Sequence, residues 1–214
     1  MDRQKTKLQL RSNTLQRKID AWSKIQLLYC PSVSRLRNDL STESHSLATI
    51  KPYDVPLWLP SQIKGQTIVS NQLQQIEWKL RHAQAYEALD TLHHHLQVRA
   101  HLYKFKDRFV RGQGANTRAR NAISGAQGRI DAAAAEYRAA YDALLSLGSI
   151  LLEFGWKAEL LPLLPGDIRD LSEAASGESE GRRTMSWIWR TTPAEGAGID
   201  AEGYLRESKC SDFM

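Results

Sequence analysis

Residues 73–152 constrain the fold of this chain more than any other stretch. In their second half Ile123, Ile130, Tyr137, Leu144 and Leu151 recur every seven residues, and Ala126, Ala133, Ala140 and Leu147 recur beside them. Two apolar positions per heptad over four heptads describe a helix packed along its length on another helix. The alanines let the partner backbone come close. In the first half Leu73, Ile76, Leu80 and Ala83, then Leu89, Leu92, Leu96 and Tyr103, mark a second helix. Its stripe drifts between Ala83 and Leu89, as it can on a straight helix of 3.6 residues per turn. Between the arms lies the bend Arg111-Gly-Gln-Gly114, and Asn116-Thr117 beyond it suit the cap of a new helix. A short connection between two long helices predicts an antiparallel hairpin.

Residues 2–30 read as a third helix, with Leu8, Leu15, Trp22 and Tyr29 every seven residues and Ile19 and Ile25 widening the face. Asn13-Thr14 suits a cap and points to a start near Leu15. Pro31 breaks or kinks this helix, because it has no N–H and disfavours helix before it. Val33, Leu36 and Leu40 carry a turn or two beyond. Residues 41–65 contain Pro52, Pro56 and Pro60 around the apolar run Val55-Pro-Leu-Trp-Leu-Pro60. Trp58 and Leu57 predict an extended strap laid across the helices.

Gly125 and Gly128 weaken the first turns of the second arm by roughly 1 kcal/mol each relative to alanine. Ile150, Leu151, Leu152, Phe154 and Trp156 read as a buried end, and Asp167 as the cap of a short helix reaching about Glu173. Residues 174–181 are small and acidic, a loop. Met185, Trp187, Ile188 and Trp189 form an aromatic knot that must dock, and residues 191–214 read as disordered.

The expected organisation is therefore an N-terminal helix (1–40), a proline-containing strap (41–65), a hairpin with short terminal helices (66–173) and a mostly disordered tail with a docked aromatic segment (174–214). The fold class is all-α: a long, coiled-coil-like antiparallel hairpin with the N-terminal helix packed alongside and a loose C-terminal tail. The heptad seams and Trp22, Trp58 and Trp156 are expected to hold it.

The hydrophobic fraction is 42% and mean hydropathy is −0.47, and no run of about 18 apolar residues exists, so neither a membrane span nor a membrane partner is expected. The N-terminus lacks the apolar core of a secretory signal. Cys30 and Cys210, far apart, suit a reducing compartment.

The net charge is +5, and residues 99–129 hold eight Lys/Arg against one acid, whereas residues 167–214 hold ten acids against six bases. Tyr103, Phe105 and Phe109 interleave the cations. Two readings stay open: a grip on a phosphate backbone with aromatics stacked on bases, or a solvated helix face with the aromatics as core. On the first, Lys104, Lys106, Arg108, Arg111, Arg118 and Arg120 are the candidate nucleic-acid contacts.

His93-His94-His95, near His82 and His101, does not form a metal site by spacing. Adjacent helical residues fan out by about 100°, so three in a row cannot share one ion; they read as a solvated polar face. Gly112-Gln-Gly114 lacks the preceding strand and the continuation of a phosphate loop. With no Ser/His/Asp or Cys/His set, no catalytic, metal or cofactor residue is assigned, and the chain alone is not expected to be an enzyme or to need a cofactor.

Six phrases in order resemble one family: Ser12-Asn-Thr-Leu-Gln-Arg-Lys-Ile-Asp-Ala-Trp22, Pro56-Leu-Trp-Leu-Pro-Ser61, Leu80-Arg-His-Ala-Gln-Ala-Tyr-Glu-Ala-Leu89, Arg111-Gly-Gln-Gly-Ala-Asn-Thr-Arg118, Asp167-Ile-Arg-Asp-Leu171 and Glu180-Gly-Arg-Arg-Thr-Met-Ser-Trp-Ile-Trp189. Together they are similar to the helical C-terminal region of KDZ (Kyakuja–Dileera–Zisupton) transposases, abundant in mushroom-forming fungi. The resemblance covers roughly residues 10–190. It implies a parent enzyme in which acidic residues hold divalent metals for strand cleavage and transfer. Those acids, and zinc-binding cysteine clusters, lie upstream of the matched region, so neither is carried over.

The chain departs from the family after about Gly203, which implies a truncated, degenerate or mis-spliced copy. The function so implied is a non-catalytic, transposase-derived segment that contributes DNA-backbone contact or assembly in transposition. The DNA contact is non-specific, with self-association or the rest of a transposase as further partners and a nuclear location. The alternative is a stand-alone coiled-coil interaction module, pairing perhaps with itself through the alanines of residues 126–140, or a non-functional transposon remnant.

Overall fold

The computed structural model describes residues 2–43, 51–63, 67–170 and 185–191. Among these, all regular structure is helical. Five α-helices follow in order: α1 (Asp2–Tyr29), α2 (Val33–Glu43), α3 (Pro60–Ile63), α4 (Asn71–Phe109) and α5 (Gln113–Leu151). Single 3-10 turns lie at Pro52–Asp54, Gly155–Ala158, Pro165–Asp167 and Trp187–Arg190. The chain divides into two compact units, residues 1–80 with 143–153, and residues 81–142 with 154–214; α4 and α5 run through both.

In the second unit α4 and α5 pack on each other as the predicted hairpin. Two cross-helix bonds fix its sense: the Gln84 amide donates to Glu136 (3.1 Å) and the Arg99 guanidinium to Gln127 (2.7 Å). The partner number falls as the first rises, which is an antiparallel pair. Ala85, Leu89, Leu92 and Leu96 of α4 are buried at 4-3-4 spacing, against Ala126, Ile130, Ala133, Tyr137 and Ala140 of α5. That is the predicted α5 seam, and Leu144 and Leu147 continue it in the first unit. Its end members Ile123 and Leu151 are half-buried.

The α4 stripe differs from expectation over its first turns. Ile76, Leu80 and Ala83 are exposed. The inward position is taken by Glu77, buried in the first unit, whose carboxylate accepts from the Ser61 N–H (2.9 Å) and hydroxyl (2.7 Å). A buried carboxylate with donors to satisfy it is tolerated, and hydropathy alone does not find it.

The first unit contains a small apolar cluster of Cys30, Val33 and Ile63, with Leu36, Trp58, Val69 and Leu73 against it. Gln26 of α1 is buried, and its amide donates to the Leu57 (3.0 Å) and Trp58 (2.7 Å) carbonyls. Its oxygen accepts from Arg37, which also donates to the Ser23 carbonyl at 3.2 Å. These bonds hold the predicted strap on α1. Trp58 sits in the left-handed region at φ +52°, a conformation held by its neighbours' bonds rather than its own preference.

α1 begins at Asp2 rather than near Leu15. Thr14 bonds the Leu10 carbonyl (2.8 Å) and Gln9 bonds Asn13 (3.0 Å), so both candidate cap residues lie inside a continuous helix. Its inward stripe is Ser12, Gln16, Ile19, Ser23, Gln26 and Cys30, while Leu8, Leu15, Trp22 and Tyr29 are exposed. Trp22 therefore does not hold the fold as expected; Trp58 is half-buried and Trp156 buried. α2 extends three turns past Pro31, longer than expected.

At the other side of the bend, α5 starts at Gln113. Asn116 and Thr117 donate to the Gly112 (2.9 Å) and Gln113 (3.1 Å) carbonyls within the first turn instead of capping it. Asp167 closes a single turn rather than opening a helix, and its carboxylate accepts from the Leu164 N–H at 2.9 Å. The loop expected at 174–181 and the tail beyond Thr191 lie outside the described residues.

α5 is helical without interruption through Gly125 and Gly128, and a Cβ at either would meet nothing within 4 Å. Gly125→Ala and Gly128→Ala should each raise unfolding free energy by about 0.5–1 kcal/mol. Leu92→Ala, at a fully buried seam position, should lower it by about 2–5 kcal/mol. Urea titration followed by circular dichroism checks both signs.

Candidate nucleic-acid interface

The tip of the hairpin is built by Val110, Arg111 and Gly112 between the two long helices. Gly112 has φ +82°, where a side chain is disfavoured, and this lets the chain reverse in three residues. The Val110 N–H donates to the Lys106 carbonyl (3.2 Å). The Arg111 guanidinium donates to the Asp107 (3.2 Å) and Val110 (3.0 Å) carbonyls. A helix C-terminus leaves carbonyls unbonded and carries partial negative charge, and Arg111 meets both.

Of the six candidate cations, Arg111 is thus engaged in closing α4, with part of its five-donor fork left over. Lys106 is half-buried on the inward side. Lys104 and Arg108, four residues apart, share one exposed strip of α4. Arg118 and Arg120 are exposed but two residues apart on α5, about 200° around the helix, so they face opposite flanks. The six do not form one patch.

The aromatics bear on one part of the second sequence reading, in which they serve as core. Tyr103, Phe105 and Phe109 are not core: they are 47%, 53% and 67% exposed, and Phe105 and Phe109 lie 5.4 Å apart between ring centroids. Helical phase locates them. At 3.6 residues per turn Phe105 lies about 60° around α4 from Gln84, and Arg118 is in phase with Glu136; Gln84 and Glu136 touch across the hairpin. Phe105 and Arg118 therefore lie on the same flank. Arg129, one heptad before Glu136, extends it, and is exposed. Charge density along the chain does not reveal which flank a cation faces.

Away from the tip, chain that returns from α5 packs on the hairpin. Tyr137, fully buried, donates to the Leu161 carbonyl (2.7 Å), and burial raises its phenol far above the usual range. Tyr86 donates to Glu159, and burial, then that carboxylate, push it up to about 12. The aromatic knot docks through Trp187, Ile188 and Trp189, while Met185 stays exposed. Ile188 is buried, Trp187 lies 5.9 Å from Tyr137, and the Trp189 indole N–H donates to the Arg169 carbonyl (2.9 Å).

His93 corrects the solvated-face reading: its ring stacks on Trp189 at 4.4 Å between centroids, and its Nε2 is buried with no partner among the described residues. Burial lowers its pKa, with the Ile188 carbonyl and Asp90 opposing. His94 is exposed. Among the described residues no group of three or more His, Cys, Asp or Glu converges as metal ligands. No described helix is long and apolar enough to cross a membrane.

The described residues thus define an all-α protein based on a helical hairpin, with an exposed basic and aromatic tip. No protein-family model matches the chain, and no curated protein or solved structure matches it.

Because the folded state binds a proton at His93 less readily than the unfolded chain, stability is retained above the ordinary value of 6.5 and falls as pH drops through it towards the lowered folded value. His82 and His95 are lowered in the same direction, chiefly by burial. Thermal melts at pH 7 and pH 5 should therefore show a smaller acid-induced loss of Tm in His93→Gln than in the parent chain.

Proposed function

We propose that this chain is a non-catalytic helical segment of a transposase-derived protein of the KDZ type, and that its hairpin tip contacts the phosphate backbone of nucleic acid. The observation that carries the contact is the exposed Phe105–Phe109 pair on a hairpin tip that also carries the exposed Arg108 and Arg118. Aromatic platforms stack on bases for about 1–3 kcal/mol per base without regard to sequence. Lys104, Arg108, Arg118 and Arg120 have no carboxylate partner among the described residues, so phosphates meet cations that need not leave another bond.

Such binding is sequence-independent and belongs with a nuclear role in transposition. The six ordered phrases supply the transposase class; the tip supplies the mode of contact. The alternative, self-pairing through the alanines of residues 126–140, loses its surface, because Ala126, Ala133 and Ala140 are buried.

Fluorescence anisotropy with a labelled oligonucleotide of mixed sequence tests the reading. Charge reversal of Arg108, Arg111, Arg118 and Arg120 together should weaken binding at low salt by at least about tenfold and flatten the dependence of log K on log salt. Phe105→Ala with Phe109→Ala should weaken single-stranded DNA more than duplex. Unchanged affinity in the charge-reversed chain would sink the proposal.

A further inference from the structure

We infer that the outer face of α1 is the docking site for an acidic amphipathic helix of a partner protein. This does not depend on the nucleic-acid reading, since it rests on other residues in the other unit. Leu8, Leu15, Trp22, Ile25 and Tyr29 are all exposed, from 38% to 68%. With Arg11 and Lys18, also exposed, they complete a 3-4-3-4-3-4 repeat along one strip, the spacing by which one helix seats another. The inward stripe of α1 is a different set, and mostly polar, so the apolar strip has no use within the described residues.

The first turns of α1 add a second argument. Residues 3–11 are exposed on every side. A helix gains most of its stability from tertiary packing of one face, and Asn13-Thr14 are poor helix formers. This stretch packs on nothing described, yet it carries the apolar strip.

Charge selects the occupant. α1 holds seven Lys/Arg against two Asp/Glu, an excess as large as that of the whole chain. Lys7, Arg11 and Lys18 surround an open depression of about 320 Å³ whose remaining lining is Leu10, Thr14 and Leu15. Asp20, two residues from both Lys18 and Trp22, lies on the opposite side and is bonded by Gln16 at 2.8 Å. A second copy of α1 would set seven cations against seven. An anionic bilayer takes helices whose cations are kept apart from the apolar face, whereas Arg11 and Lys18 sit within it. Phosphates leave the five apolar side chains uncovered. A helix with apolar residues at one heptad position and carboxylates at the other satisfies both sets.

The test uses the full chain and a fluorescein-labelled synthetic helix as long as α1, with leucine at a and glutamate at d. Anisotropy should show binding at least about tenfold tighter than for a scrambled peptide or a lysine-for-glutamate version. Leu15→Glu and Trp22→Glu, checked by circular dichroism for an unchanged melt, should each reduce it by about tenfold, and α1 helicity should rise on binding. Equal binding of the three peptides, or no effect of either variant, overturns the inference. So does a Trp22→Glu-sensitive dimer in sedimentation, or binding to phosphatidylcholine–phosphatidylserine vesicles in place of the peptide.

Discussion

The seam between α4 and α5 is the contact on which the second unit depends. Each buried Leu or Ile contributes about 1.5–3 kcal/mol, against about 1 kcal/mol for a hydrogen bond. Leu89, Leu92 and Leu96 opposite Ile130 and the alanines therefore set the hairpin, and the polar contacts arrange themselves around it. Tyr137 joins the two levels. Its ring fills the seam, its hydroxyl holds the Leu161 carbonyl, and Trp187 lies against it. The antiparallel register of this seam also brings Phe105 and Arg118 to one flank of the tip.

The first unit has less apolar surface to bury and relies more on polar groups that are fully used. Gln26 bonds the strap with its amide and takes Arg37 with its oxygen, while Glu77 takes both donors of Ser61. A buried amide or carboxylate without such partners is costly, so each tolerates only one arrangement of the segments around it. They specify position more than they add stability.

Much of this was legible in the residues. The α5 seam reads directly, because a seven-residue repeat of large and small apolar side chains has few other uses. The short glycine bend and the docking of the aromatic knot read for similar reasons, whereas the strap expected to be extended turns helical at Pro52–Asp54 and Pro60–Ile63. The misreadings share a cause. The α1 stripe of Leu8, Leu15, Trp22 and Tyr29 has the period of a packed helix but faces outward. Periodicity shows that a helix has an apolar side without showing that anything covers it. At the tip, charge density along the chain grouped Arg118 with Arg120, which helix phase separates. The sequence leaves Tyr103, Phe105 and Phe109 open between core and surface, and the structure exposes all three.

The sequence by itself determined the local and repetitive features: which segments are helical, where Gly112 turns the chain, and which side of α5 is buried. These follow from propensity and from a period carried by one segment. Only the tertiary structure decided what each face meets. Gln26 and Glu77 are inside because distant segments bring their donors and acceptors, His93 because Trp189 returns to stack on it, and the α1 stripe is outside because a polar stripe beside it found bonds. Such pairings are set by residues far apart in the chain, and no local pattern encodes them.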